Sequence, residues 1–221
     1  MGKTNFAWLL IALLIFLVGL PIADDLTDMS EPTIRGLAFT CLVVVGVWSL
    51  RGSGRWFHIG LAFVAAEIVF TALAFQSSSV AFLYASFFAL FGFLLVAISF
   101  TMKQVVVHPT IDRNRLIGTV CVYLLLGVIW AVAYAALELS VPGSFSGFAM
   151  QKGAGWDNEW IYFSFVTMTT LGYGDLLPLT PTARALAYMQ AVFGQFYIAI
   201  LVAGLVSAFI SDRQSKSGID D

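Results

Sequence analysis

The sequence predicts an all-α membrane protein, with six transmembrane helices and one short helix that enters the membrane without crossing it. Three observations carry this expectation. Hydrophobic residues make up 60% of the 221 and charged residues 11%, where a soluble domain has about 45–50% and about 25%. Mean hydropathy is +0.91, and apolar runs near the spanning length of about 20 residues recur along the chain. Finally, the stretch Thr167-Met-Thr-Thr-Leu-Gly-Tyr-Gly-Asp175 interrupts this pattern with backbone that suits neither helix nor strand.

The first run, Phe6–Ala23, follows Met1-Gly2-Lys3 and ends at Pro21-Ile22-Ala23 before Asp24. That order also fits a signal peptide, but the apolar part is long for one, and a retained helix is the expectation. The second run, Gly36–Leu50, is short and extends back through Thr33 and Arg35. Trp56–Phe75 and Val80–Met102 are the third and fourth, Leu116–Leu137 the fifth, and Ala185–Ile210 the sixth. These runs divide the chain into a four-helix part (1–103), a linker (104–115), a part with the last two spans (116–210) and a short tail (211–221).

Basic residues set the orientation. With alternating spans, Lys3, Arg51, Arg55, Lys103, Arg113, Arg115, Arg213 and Lys216 fall on one side, and Arg35, Lys152 and Arg184 on the other. The bias places both termini in the cytoplasm, with 24–31 and 138–160 outside. A net charge of −2 gives no electrostatic case for nucleic acid. Cys41 and Cys121 lie in apolar runs with no metal-binding or disulfide spacing. His58 and His108 read as interfacial residues. They are widely separated, supply no nucleophile–base pair or metal site, and leave no case for an enzyme. A transporter should show paired broken helices in two similar halves, and only one break is visible.

That break is a short piece. Asp157 or Asn158 is a suitable N-cap, and Trp160–Thr169 contains no helix breaker. A helix over 158–169 covers about 18 Å, so it stops near mid-membrane. Its C-terminal end carries the negative pole of the helix dipole, which favours a cation in front of it. Irregular backbone at that depth must be shielded by protein or line a watery cavity. Gly172 and Gly174 tolerate positive φ. Alternating them with Leu171 and Tyr173 lets successive carbonyls point the same way, toward one axis where they can replace a cation's hydration shell.

Thr169-Thr-Leu-Gly-Tyr-Gly-Asp175 resembles the Thr-Thr-Val-Gly-Tyr-Gly-Asp filter of potassium channels, with Leu171 in the place of the usual Val. Leu176-Leu-Pro-Leu-Thr-Pro-Thr-Ala-Arg184 and the long last helix are similar to the outer turn and inner helix of prokaryotic pore domains. The likeness covers about Leu116–Ile210; for the first four helices it is one of number and length only. It implies a six-helix, one-pore-loop, prokaryotic-type channel in a cell membrane, passing K⁺ through a filter shared by a homotetramer, because one filter strand cannot surround an ion. Within the pore domain it implies an outer helix at 116–138, a pore helix at 158–169, a filter at 170–175 and an inner helix at 182–210.

Residue by residue, the resemblance implies that the carbonyls of Thr170, Leu171, Gly172 and Tyr173 coordinate K⁺, with Gly174 completing the filter and the Thr170 hydroxyl the innermost site. Thr169, Asp175, Tyr162 and Val166 become filter support. Relatives often place a Trp against the aspartate, and Tyr162 is the candidate here. Val166 stands where some relatives carry a glutamate. Gly194 falls where the family places a hinge glycine, and close helix packing is an equal alternative. Gln195, read as a lone amide in this helix, is expected to face water, with Ile198 and Val202 on the same cavity face. Thr180-Pro181 supplies an N-cap and a first-turn proline for that helix.

Val80–Met102 contains no Lys or Arg, so the first four helices resemble a voltage-sensor domain without its gating charges, and little voltage dependence is expected. Glu67 is an intramembrane acid of undefined role, either functional or a neutral, hydrogen-bonded group between helices. The basic linker suits anionic headgroups of the surrounding lipids, and Pro109 limits its helicity. The polar tail is too short to fold as a ligand-binding cytoplasmic domain. No cofactor is implied beyond permeant K⁺. The alternatives are a weakly selective cation channel and an accessory subunit of a mixed channel.

Overall fold

A computed structural model describes residues 6–19, 21–22, 43, 46–47, 54–77, 79–107, 113–147, 158–204 and 207. Among them the order is α1 (Phe6–Leu14, continuing as a π-helix over Ile15–Gly19), α2 (Arg55–Ser77), α3 (Val80–Val107) and α4 (Arg113–Ser140). Then come β1 (Phe145–Ser146), α5 (Asn158–Met168), β2 (Leu177–Pro178) and α6 (Pro181–Phe196, continuing as a π-helix over Tyr197–Val202). The expected second span and the tail lie outside the described residues, apart from isolated helical positions at Val43, Gly46 and Val47.

Three helices are long and apolar enough to cross a membrane, over Arg55–Ala74, Val80–Val106 and Asn114–Ser140. The protein is therefore a mostly helical membrane protein. Helices α2, α3 and α4 overrun the apolar stretches that predict them, because polar ends such as Lys103-Gln104 and Arg113-Asn114 continue the helical hydrogen bonding outside the apolar core. α3 runs to Val107 and α4 begins at Arg113, so both enter the expected linker 104–115, of which 108–112, with His108 and Pro109, lie outside the described residues.

α3 and α4 lie antiparallel along their lengths. At one end Tyr84 Oη donates to the Leu139 carbonyl at 3.2 Å. At the other, a Cβ on Gly118 would stand 3.0 Å from Val105 Cγ2 and 2.9 Å from the Phe6 ring. Gly118 is thus the point where α1, α3 and α4 converge, and a larger residue there would part them. Phe6 fixes the start of α1 on the same helix: its N–H donates to Asn114 Oδ1 at 2.8 Å, and its carbonyl accepts from Cys121 Sγ at 3.6 Å. The core runs from Leu9, Leu13 and Phe16 through Leu90, Phe93 and Leu94 to Leu125, Val128 and Val132 of α4. α2 packs against α3 with Phe63 beside Gly92, where a Cβ would come within 2.4 Å of the ring.

On the other side of α4 sit α5 and α6. Gly127 lets α5 approach closely, since a Cβ there would lie 2.4 Å from the Phe165 ring. Tyr134, Phe145, Trp160 and Phe163 fill the space above in edge-to-face contacts at 4.9–5.5 Å between centroids, the geometry aromatic quadrupoles favour.

Candidate functional site

α5 is only 11 residues long, about 16 Å by helical rise, so it does not span a membrane. It starts at Asn158 with Glu159 in its first turn, a favourable charge for the positive pole of the dipole. It ends in a tightening spiral. Thr169 N–H donates to Phe165 O at 3.0 Å and Thr170 N–H to Thr167 O at 3.0 Å. Leu171 and Gly172 N–H both reach Val166 O, at 2.9 and 3.4 Å. The loop that follows is thereby hung from the last turn of α5 through Val166.

Beyond that turn the backbone is left-handed at every second residue: φ is 60° at Thr170, 59° at Gly172 and 82° at Gly174. The glycines take this conformation at no steric cost; Thr170 is the one described non-glycine residue that takes it. Thr169 to Asp175 are all exposed on the single chain, Leu171 by 55% and Tyr173 by 68%.

Two features hold the far end of the loop. Tyr162 Oη donates to Asp175 Oδ2 at 2.6 Å, and the Tyr162 and Tyr173 rings stack nearly parallel with centroids 6.4 Å apart. The hydrogen bond from Tyr162 holds the Asp175 carboxyl below its ordinary value of 3.8. The second feature is the segment after α4. Glu138 accepts from the N–H groups of Gly143 and Phe145 at 2.7 and 3.1 Å, folding Val141–Ser144 into a turn. β1 then pairs antiparallel with β2, with Phe145 opposite Pro178. Ser144 O accepts from Leu179 at 2.8 Å. Gly147, at φ 89°, sits so close to Asp175 that a Cβ would be 2.0 Å from its carbonyl oxygen. This strand pair escaped the sequence reading because two residues carry no periodicity; Pro142-Gly143 and Gly147 were the available signals.

Thr180 caps α6, its hydroxyl accepting from Ala183 N–H at 3.3 Å, with Pro181 in the first turn. Gly194 is buried: a Cβ there would lie 2.6 Å from Met168 O, at the end of α5. Of the two readings offered for Gly194, this contact favours packing. Gln195 and Ile198 are exposed on the single chain, while Val202 lies in the π-helical stretch Tyr197–Val202. Gln195 is not the lone amide of this helix. Gln190, passed over in the sequence, is completely buried against α4 and α5. Glu67 belongs to α2, away from this loop, and accepts from Thr71 Oγ1 one turn on, at 3.0 Å.

Residues 119–211 match the family described as Ion channel. Two pore potassium channel c of Oryza sativa subsp. japonica is 37% identical over 92 residues, 42% of this chain and 18% of the relative. Inward rectifier potassium channel Kirbac3.1 of Paramagnetospirillum magnetotacticum is 31% identical over 91 residues, 39% of this chain and 27% of that one. Shaker-related potassium channel tsha2 of Oncorhynchus mykiss is 35% identical over 103 residues, 46% of this chain and 19% of that one. The chain thus matches less than a third of the length of each of these relatives. No solved structure matches it. Residues 119–211, which hold the short helix, the left-handed loop and the helices on either side, match that ion-channel family and are similar in sequence to two-pore, inward-rectifier and Shaker-related potassium channels.

Proposed function

We propose that four copies of this chain form an axial pore and conduct K⁺ passively and selectively through the loop 170–175. The observation that carries this reading is the left-handed φ at Thr170, Gly172 and Gly174. In an ordinary strand successive carbonyls point to opposite sides. Reversing the hand at alternate residues turns them toward one side, as a column of cation ligands requires. Thr170, Leu171, Gly172 and Tyr173 are the K⁺-coordinating residues in this reading, and Tyr162, Val166, Thr169 and Asp175 hold them in place. Fourfold assembly supplies the cover that the exposed loop and the exposed Tyr188, Phe193 and Phe196 of α6 lack on one chain.

The wider reading follows from the same assembly. Six spans, both termini in the cytoplasm and a prokaryotic cell membrane fit the distribution of basic residues. Residues 1–103 form a peripheral shell without gating arginines, and ion flow needs no bond-making chemistry. The test is flux and bi-ionic reversal potential of the purified protein in vesicles, beside Gly172→Ala. K⁺ permeability well above Na⁺, abolished by Gly172→Ala, is the expected result. Equal permeabilities would make it a weakly selective cation channel, and silence of the purified protein would make it an accessory subunit.

A further inference from the structure

Behind the loop lies a closed set of polar contacts that no part of the reading above uses. Gln190 of α6 has no exposed surface, and neither do Tyr134 of α4 or Ser164 of α5. Tyr134 Oη donates to Gln190 Oε1 at 2.5 Å. Gln190 Nε2 donates to Ser164 Oγ at 2.7 Å and to Ser164 O at 3.0 Å. Ser164 Oγ in turn donates to the Gly127 carbonyl of α4 at 2.7 Å. The amide oxygen and both amide hydrogens are therefore used, and one side chain ties together the three helices of the ion-channel domain.

The position of this knot gives it leverage. Ser164 and Met168 lie one turn apart on α5, as Gln190 and Gly194 do on α6. Gln190 is hydrogen-bonded to Ser164, and Gly194 is pressed against Met168 O. Between them on α5 is Val166, whose carbonyl receives the N–H groups of Leu171 and Gly172. A buried amide in an apolar surrounding cannot exchange its partners for water, so it admits one relative placement of the helices and penalises others.

We infer that Gln190 is a positioning residue for ion selection: it fixes α5 against α4 and α6, and through Val166 fixes the spacing of the Leu171–Tyr173 carbonyls. An apolar Leu of similar size should keep the helices packed while losing that registration. It would also leave the Tyr134 hydroxyl without its acceptor.

This inference rests on the potassium-selective reading, so the wild type is measured first. In vesicles, the K⁺ to Na⁺ permeability ratio is compared for wild type, Gln190→Leu, Tyr134→Phe and the double variant. The K⁺ concentration that half-protects the purified protein against heat is measured for each. Gln190→Leu is expected to lower the ratio and to raise the half-protecting K⁺ concentration, each by about fivefold, the scale of one net hydrogen bond. The double variant should be no worse than Gln190→Leu alone, because both changes remove one network. A merely structural role would lower heat stability equally in K⁺ and Na⁺ and leave the ratio unchanged, and that outcome overturns the inference. Should Gln190→Leu fail to assemble, Ser164→Ala and Tyr134→Phe are read by the same two measurements; an unchanged ratio and half-point in both overturns it too. A wild type without preference for K⁺ instead overturns the selective reading itself.

Discussion

Single side chains at the end of the loop explain how it can be irregular and still fixed. Tyr162 offers a hydroxyl where Asp175 offers a carboxylate, and at 2.6 Å the hydrogen bond is short and charge-assisted. Its pH dependence has a definite sign. Asp175 is held below its ordinary value of 3.8, so the stabilisation is complete above that value and is lost as the pH falls through the lowered one. Acid inactivation of the wild type is therefore expected below pH 3.8. Tyr162→Phe should move its midpoint upward, measurable by K⁺ flux across a pH series. A midpoint that stays put would separate this hydroxyl from the stability of the loop. The pairing could be anticipated in the sequence because the resemblance to potassium channels implies a hydrogen-bonding aromatic against the aspartate, and Tyr162 is the candidate. Gln190 could not, because nothing in the chain says which face of α6 meets α5. Its only signal is the spacing of Gln190 and Gly194, which the eye passes over in favour of Gln195.

Elements differ in how plainly they were written. α2, α3 and α4 were legible because each contains a predominantly apolar run near 20 residues, the length lipid demands. α5 was legible for the opposite reason: its stop before Gly172 shows a helix too short to cross. β1 and β2 were not legible, since their pairing depends on Glu138 folding the turn from a distance. α6 holds a further lesson about glycine. Gly194 is a place of close approach to α5, and the departure from α-helical geometry comes later, at Tyr197–Val202. Gly194→Ala should cost about 1–3 kcal/mol through overpacking against the Met168 carbonyl. Chemical or thermal unfolding in detergent measures it. An unaltered or raised stability would mean that the contact relaxes freely and that Gly194 serves as a hinge after all.

Considered as a whole, the described helices fall into two groups that meet along α4. One face of α4 receives α1 and α3, and the other receives α5 and α6. Gly118→Leu, at the junction of α1, α3 and α4, should lower thermal stability by about 1–3 kcal/mol and leave the K⁺ to Na⁺ permeability ratio at the wild-type value. A changed ratio would show that the peripheral helices act on ion choice. The apolar stretch of α3 contains no Lys or Arg from Val80 to Met102, and each elementary charge moved is worth about 2.3 kcal/mol per 100 mV. A conductance–voltage curve with an effective charge below about one is the expected outcome, and a steep curve would assign voltage sensing to residues other than these.

The antiparallel seam between α3 and α4, bound at Tyr84–Leu139 and at Val105–Gly118, has a consequence for biogenesis. Both partners come from one polypeptide, and only 108–112 separate them. Each newly made chain can therefore complete its outer shell as soon as it is inserted, without waiting for a neighbour. Contacts between nearby segments also form fast. In the proposed fourfold assembly, the encounter of subunits has only the ion path left to complete. On that reading, assembly joins subunits whose α3–α4 seam is already closed, and a single subunit leaves the loop 169–175 and Tyr188, Phe193 and Phe196 of α6 exposed.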